Sequence, residues 1–185
     1  MPTKPRVYMD SCCFIELALH SIGDNEPGRE NDIWHLTQLL NAAHDGEIEV
    51  LTSILSVAEC THARGIVTED VKTLFKRFLT SGQYLFLIQD TILVAERARN
   101  LRWVHNLSFG GADSIHLASA MELRCDEFLT FDGKPHAYVQ ALDSLALRIR
   151  FPRDTQCLPG DYRQQPLIPS EPPPPSENTE TRESS

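Results

Sequence analysis

The stretch from Phe109 to Asp132, FGGADSIHLASAMELRCDEFLTFD, decides the fold. Two glycines, Gly110 and Gly111, lead into Ala112 and Asp113. Apolar residues then recur at helical spacing through Ile115, Leu117, Ala118, Met121 and Leu123, and Arg124 closes the run. Phe128-Leu129-Thr130-Phe131 follows as a short apolar strand ending on Asp132. One carboxylate opens a helix, and another ends the strand after it, nineteen positions on. In a parallel α/β sheet, helix starts and strand ends share one edge, the edge where sites form. The pattern therefore predicts that Asp113 and Asp132 meet in space.

The rest of the chain repeats the device. Val7-Tyr8-Met9 is a β-like run that ends on Asp10, and Ser11 leads into a helical period from Cys12 to Leu19. Asp32 is placed to cap a helix carrying Ile33, Leu36, Leu39, Leu40 and Ala43, which Gly46 ends. Residues 48–51 alternate as a strand; Thr52-Ser53 follows as a cap, and Glu59 falls about two turns into the next helix. Thr68 caps a helix bearing Val71, Leu74, Phe75, Phe78 and Leu79. Residues 84–88 form a near-continuous apolar strand of the buried kind. A long helix follows from Asp90, with Ile92, Val94, Ala98, Leu101 and Val104. After the anchor stretch, 136–142 reads as a helix and 145–151 as a last strand. Strands alternating with helices predict a parallel sheet covered on both faces, a three-layer α/β/α sandwich.

Length and composition bound the rest. A chain of 185 residues suits one domain. From Asp154 onward prolines accumulate, with Pro172 to Pro175 in a row, followed by Ser, Glu, Asn and Thr. Such a segment buries too little apolar surface to offset its ordering entropy. The expected division is a domain over 1–153 and a disordered, acidic, Pro-rich tail over 154–185, with a docking peptide as the minor reading of that tail. The net charge is −9; six acids and two arginines give the tail −4 and leave the domain −5. That balance argues against binding nucleic acid by bulk charge, not against a site where cations neutralise a phosphate locally. Lys72, Lys76, Arg77, Arg97, Arg99 and Arg102 could line a basic groove, but read more readily as solvated helix faces. The five cysteines form no CxxC pair and no zinc spacing with the seven histidines. They suit reduced thiols in a cytoplasm. No secretory leader and no membrane span is expected.

The chemistry narrows by elimination. The sequence lacks the GxGxxG, GxxxxGK, HExxH, GxSxG and EF-hand patterns. What remains is four acids at strand ends and on helices: Asp10, Glu59, Asp113 and Asp132. Two carboxylates about 4 Å apart repel by roughly 4 kcal/mol at an effective dielectric near 20. A cluster of them persists by taking up protons or divalent cations. Oxygen donors select Mg²⁺ or Mn²⁺ over zinc. Such ions acidify a water and stabilise a phosphoryl transition state, so the reading points to phosphodiester hydrolysis.

The motifs Val7-Tyr8-Met9-Asp10-Ser11, Ser56-Val57-Ala58-Glu59, Gly111-Ala112-Asp113-Ser114-Ile115-His116-Leu117-Ala118-Ser119-Ala120 and Phe128-Leu129-Thr130-Phe131-Asp132 together resemble a PIN domain over about residues 5–150. The single-domain length is similar to VapC-type toxin ribonucleases of toxin–antitoxin pairs. The resemblance implies a metal-dependent endoribonuclease acting on RNA, with a cognate antitoxin protein as partner and often a homodimer. It implies Asp10, Glu59 and Asp113 as metal ligands, with Asp132 completing the catalytic acids, directly or through water. Ser11 and Thr130 match the supporting hydroxyl positions. The Pro-rich tail and the acidic domain depart from the pattern. His116 is assigned to packing or an interface, Asp126 to the surface, and Cys12, Cys13 and Cys60 to packing. Two rivals stand beside the ribonuclease. One is a phosphatase with a nucleophilic Asp10, which would want a second acid where Cys12 stands. The other is a non-catalytic PIN-like interaction module.

Overall fold

The computed structural model describes residues 4–24 and 26–164. Five strands form one parallel sheet in the order β3-β2-β1-β4-β5. They are β1 (Arg6–Met9), β2 (Glu49–Ser53), β3 (Phe86–Ile88), β4 (Glu127–Leu129) and β5 (Arg148–Arg150). The three-layer α/β/α sandwich with a central parallel sheet is therefore the architecture observed. The central strand β1 sets Val7 opposite Val50 of β2 and Tyr8 opposite Phe128 of β4.

Side-chain alternation along β1 divides the core. Val7 and Met9 enter one face with Val50 and Leu129. There they pack on α1 (Ser11–Ser21), α2 (Glu30–His44) and α4 (Glu69–Phe75), which contribute Phe14, Leu36, Leu39 and Val71. Tyr8 enters the other face with Leu51, Phe128 and Ile149. It packs there with Leu101 of α5 (Ile92–Trp103), Leu117 of α6 (Gly111–Glu122) and Leu142, which lies between β4 and β5. The remaining α-helices among the described residues are α3 (Leu55–Glu59), α7 (Gly133–Ala137) and α8 (Val139–Ser144).

The connections explain where a site can form. From β1 the chain steps outward to β2 and β3, then α5 and α6 carry it back to β4 on the other side of β1. In open α/β sheets such a reversal is where sites form, beyond the carboxyl ends of the flanking strands, here β1 and β4. Asp10 follows β1 directly, and its backbone N–H donates to Leu129 O at 3.1 Å.

Three local readings change. β3 is an edge strand, not a buried one: Phe86 is 59% exposed. An apolar run does not reveal whether its strand has a neighbour on both sides. Asp32 lies inside the first turn of α2 and caps nothing there. Fully buried, it instead accepts from Arg153 N (2.9 Å) and Arg153 Nη1 (3.0 Å). The chain also stays packed beyond position 153. Glu127, 1% exposed, accepts from Thr155 Oγ1 at 2.6 Å and Gln156 N at 3.0 Å, and Leu158 is buried in the α1/α2 face of the core. Composition weighted the prolines and missed these partners, so the folded part runs past the expected boundary. The Pro-rich segment from 165 to 185 lies outside the described residues.

Candidate metal centre

Asp10 leaves β1 in extended conformation and caps α1, its Oδ1 accepting from Ser11 N at 2.8 Å. Its Oδ2 accepts from Thr130 Oγ1 at 2.7 Å and from Cys12 Sγ at 3.3 Å. Strand end, helix start and the neighbouring strand thus grip one carboxylate from three sides. Hydrogen bonds to a charged acceptor are short and comparatively strong, so the group is well oriented before anything binds.

Glu59 arrives from the end of α3, a five-residue helix that Leu55 N starts by donating to Ser53 Oγ at 2.9 Å. Its Oε2 lies 2.7 Å from His116 Nε2 on α6. That hydrogen bond is the main reason the Glu59 carboxyl titrates below its ordinary range, and the Ser11 hydroxyl adds to it. Burial pulls the His116 imidazolium down. The Glu59 bond and the charges of Asp10 and Glu59 outweigh that pull, so its pKa lies above the ordinary imidazole value.

Asp10, Glu59 and His116 each bring one donor atom into a grouping whose members lie within 4.8 Å of one another. Asp10 and Glu59 remain partly exposed, so solvent and solutes reach them. Two carboxylates and an imidazole are the hard and borderline donors that small divalent ions take. The donor set fits a divalent cation.

The other two acids stand apart from that grouping. Asp113 sits in the first turn of α6, and its Oδ2 accepts from Gly110 N at 3.2 Å. Asp132 is exposed and caps α7, its Oδ1 accepting from Lys134 N at 3.0 Å. Both belong to helix starts beyond the carboxyl edge, yet each carboxylate is turned to its own first turn. Ser11 and Thr130 both touch Asp10: Ser11 Oγ lies 3.4 Å from Oδ1, and Thr130 Oγ1 holds Oδ2.

Sequence reasoning missed two residues here. His116 is buried as expected, yet it faces the acids and not just the core. Its place one turn after Asp113, on the same helix face, was the available signal. Asp90, which follows β3, accepts from Ser53 Oγ at 2.7 Å and adds negative charge behind His116. It lies two positions past the end of β3, where Asp10 follows β1 directly. Of the basic residues, Lys72 and Lys76 line one pocket with Val57, Cys60 and Thr61, whereas Arg97 and Arg77 line two others. Lys72 pairs with Glu69, Arg97 with Glu122 and Arg99 with Glu96, while Arg77 bonds Tyr84 Oη. Asp126 is an exposed acceptor for Arg6 N. Among the described residues no helix is long and apolar enough to cross a membrane.

The sequence matches no protein-family model and no curated protein. Solved structures do match. A chain of VapBC2 from Rickettsia felis, bound to a DNA fragment from its promoter, aligns with a TM-score of 0.55 at 11% identity, covering 78% of this chain and 98% of that one. A chain of FitAB bound to the IR36 DNA fragment aligns with a TM-score of 0.51 at 16% identity, covering 81% and 97%. At such identities the likeness speaks for the fold. The sheet order, the layering and these alignments agree that the chain has the PIN-type α/β/α fold.

Proposed function

We propose that this protein is a divalent-metal-dependent endoribonuclease, of the kind that serves as the toxin of a toxin–antitoxin pair. The observation that carries it is the pairing of Asp10 and Glu59, with His116, within 4.8 Å of one another, Asp10 directly following the central strand β1. A divalent cation there, Mg²⁺ or Mn²⁺, would supply an acidified water and a counter-charge for the phosphoryl oxygens. Asp10 and Glu59 would hold it. Thr130, Ser11 N and His116 keep the two carboxylates aimed before substrate arrives. Asp113 and Asp132 would complete the acidic set by giving up their helix-capping bonds, directly or through water. The fold shared with VapBC2 and FitAB supports a cognate antitoxin as partner.

The test compares wild type with Asp10→Asn on RNA, with and without Mg²⁺. Expected are cleavage by wild type, its abolition by chelation, and a loss of at least about 10²-fold in the variant, the scale of removing one electrostatic contact to a transition state. Circular dichroism should show the fold retained. Full activity in folded Asp10→Asn would remove the assignment. Hydrolysis of small phosphomonoesters but not RNA would favour a phosphatase. Absence of any stabilisation by Mg²⁺ in thermal unfolding would favour a non-catalytic module; a bound ion at 100 times its Kd adds about 2.7 kcal/mol.

A further inference from the structure

One polar network runs inward from the acid pair. His116 is 1% exposed, with Nε2 2.7 Å from Glu59 Oε2 and Nδ1 2.8 Å from the Tyr8 hydroxyl. Tyr8 is fully buried on β1, its ring stacked on Phe128 at 5.2 Å and set edge-on to the imidazole at 5.9 Å. Neither ring can turn without disturbing the core. The phenol oxygen also accepts from Ser53 N at 2.8 Å. A backbone amide only donates, so of these two partners only His116 Nδ1, at 2.8 Å, can take the phenolic proton. The imidazole must then carry its proton on Nε2, and that proton points at Glu59.

We propose that His116 is a positioning residue, locked by Tyr8 as the Nε2–H tautomer so that it restrains Glu59 through one carboxylate oxygen and leaves the other for a cation. His116 is on this account not itself a ligand, although it stands within ligand distance of both acids. Glu59 needs such a restraint. It ends a five-residue helix, is partly exposed, and carries a long side chain whose ordering otherwise costs up to about 2 kcal/mol. A hydrogen bond behind a ligating group typically governs about 10- to 100-fold in metal affinity. The tautomer follows from hydrogen bonds alone; the role of Glu59 toward a cation rests on the proposed function.

The two are separable by experiment. Long-range ¹H–¹⁵N correlation spectra of the full chain with labelled histidine, recorded at pH 8, read the tautomer, and His116→Gln assigns the signal. Expected is a protonated Nε2 with a bare Nδ1, unchanged as Mg²⁺ is added. A protonated Nδ1, a doubly protonated ring, or loss of the Nε2 proton on adding Mg²⁺ would overturn the proposal. Tyr8→Phe, which keeps the ring and removes the donor, should release the lock and yield mixed tautomers. Mn²⁺ binding, followed by electron paramagnetic resonance of the free ion, reads the consequence. His116→Ala should bind about 10- to 100-fold more weakly. His116→Gln, whose amide N–H stands where Nε2–H stood, should recover most of that loss. Equal weakness of the two variants would overturn the positioning role. Failure of wild type to bind Mn²⁺ would overturn the metal reading and leave the tautomer to be decided by the spectra.

Discussion

Thr130 shows how one hydroxyl shapes the candidate centre. Its Oγ1 donates to Asp10 Oδ2, approaches Cys12 Sγ at 3.3 Å and accepts from Asp132 N at 3.0 Å. Thr130→Val keeps the shape and deletes the donor. Mn²⁺ affinity should fall about 10- to 100-fold while the fold is retained, since the residue orients a ligand without touching the ion. Titration calorimetry checks it; unchanged affinity would mean that Asp10 is held well enough by Ser11 N and Cys12 Sγ. Gly110 poses the complementary case. A Cβ there would lie 3.1 Å from Asp113 Oδ2, tighter than ordinary contact. Gly110→Ala should therefore displace the Asp113 carboxylate from its capping bond. If that cap competes with a metal role, the variant binds Mn²⁺ at least as well as wild type; if Asp113 must keep its present place, it binds more weakly.

At the scale of elements, the link from β5 into the terminal turns is the informative one. Arg153 follows β5 and reaches back to Asp32 in α2, whose carboxylate is fully buried while the arginine is 41% exposed. Removing the exposed partner strands a buried charge. Breaking a fully buried pair costs about 3–5 kcal/mol. With Arg153 partly solvated and its backbone N–H still bonded to Asp32, Arg153→Ala should cost roughly 2 kcal/mol. A urea titration with unchanged slope checks the figure. This pair also marks what was legible in the sequence. The strand end at Asp10, the Thr68 cap and the left-handed Gly46 after α2 could be read because each rests on local chemistry or period; β4 stops at Leu129, short of the expected end at Asp132. Asp32 looked like a helix cap because nothing local reveals a partner 121 residues away. His116 looked like core for the same reason: its partners Tyr8 and Glu59 lie 108 and 57 positions off. Burial it does have; its function depends on what the fold brings beside it.

For the whole molecule the question is where the folded unit ends. The proline count placed the boundary at 153, but the chain beyond it fills two needs of the sheet. Glu127, buried on β4, lies 2.7 Å from Arg150 Nε as an ion pair and takes hydrogen bonds from Thr155 and Gln156. Leu158 closes the α1/α2 face of the core, and Tyr162 donates to Asp45 at the end of α2. A chain ending at Asp154 would strip the hydrogen-bond donors from a buried carboxylate and expose that core face. One lost Leu contributes about 1.5–3 kcal/mol, and the two hydrogen bonds to a carboxylate that keeps Arg150 beside it about 1.5–3 kcal/mol each. Together these approach the 5–15 kcal/mol total of an ordinary domain. A chain ending at Gln164 keeps every one of these contacts. Thermal unfolding should therefore give the 1–164 chain the Tm of the full chain, while the 1–154 chain melts many degrees lower or fails to fold. Equal melting of all three would show that the turns after β5 merely rest on the domain. A lower Tm for 1–164 would assign the Pro-rich segment a stabilising role that its composition gives no reason to expect.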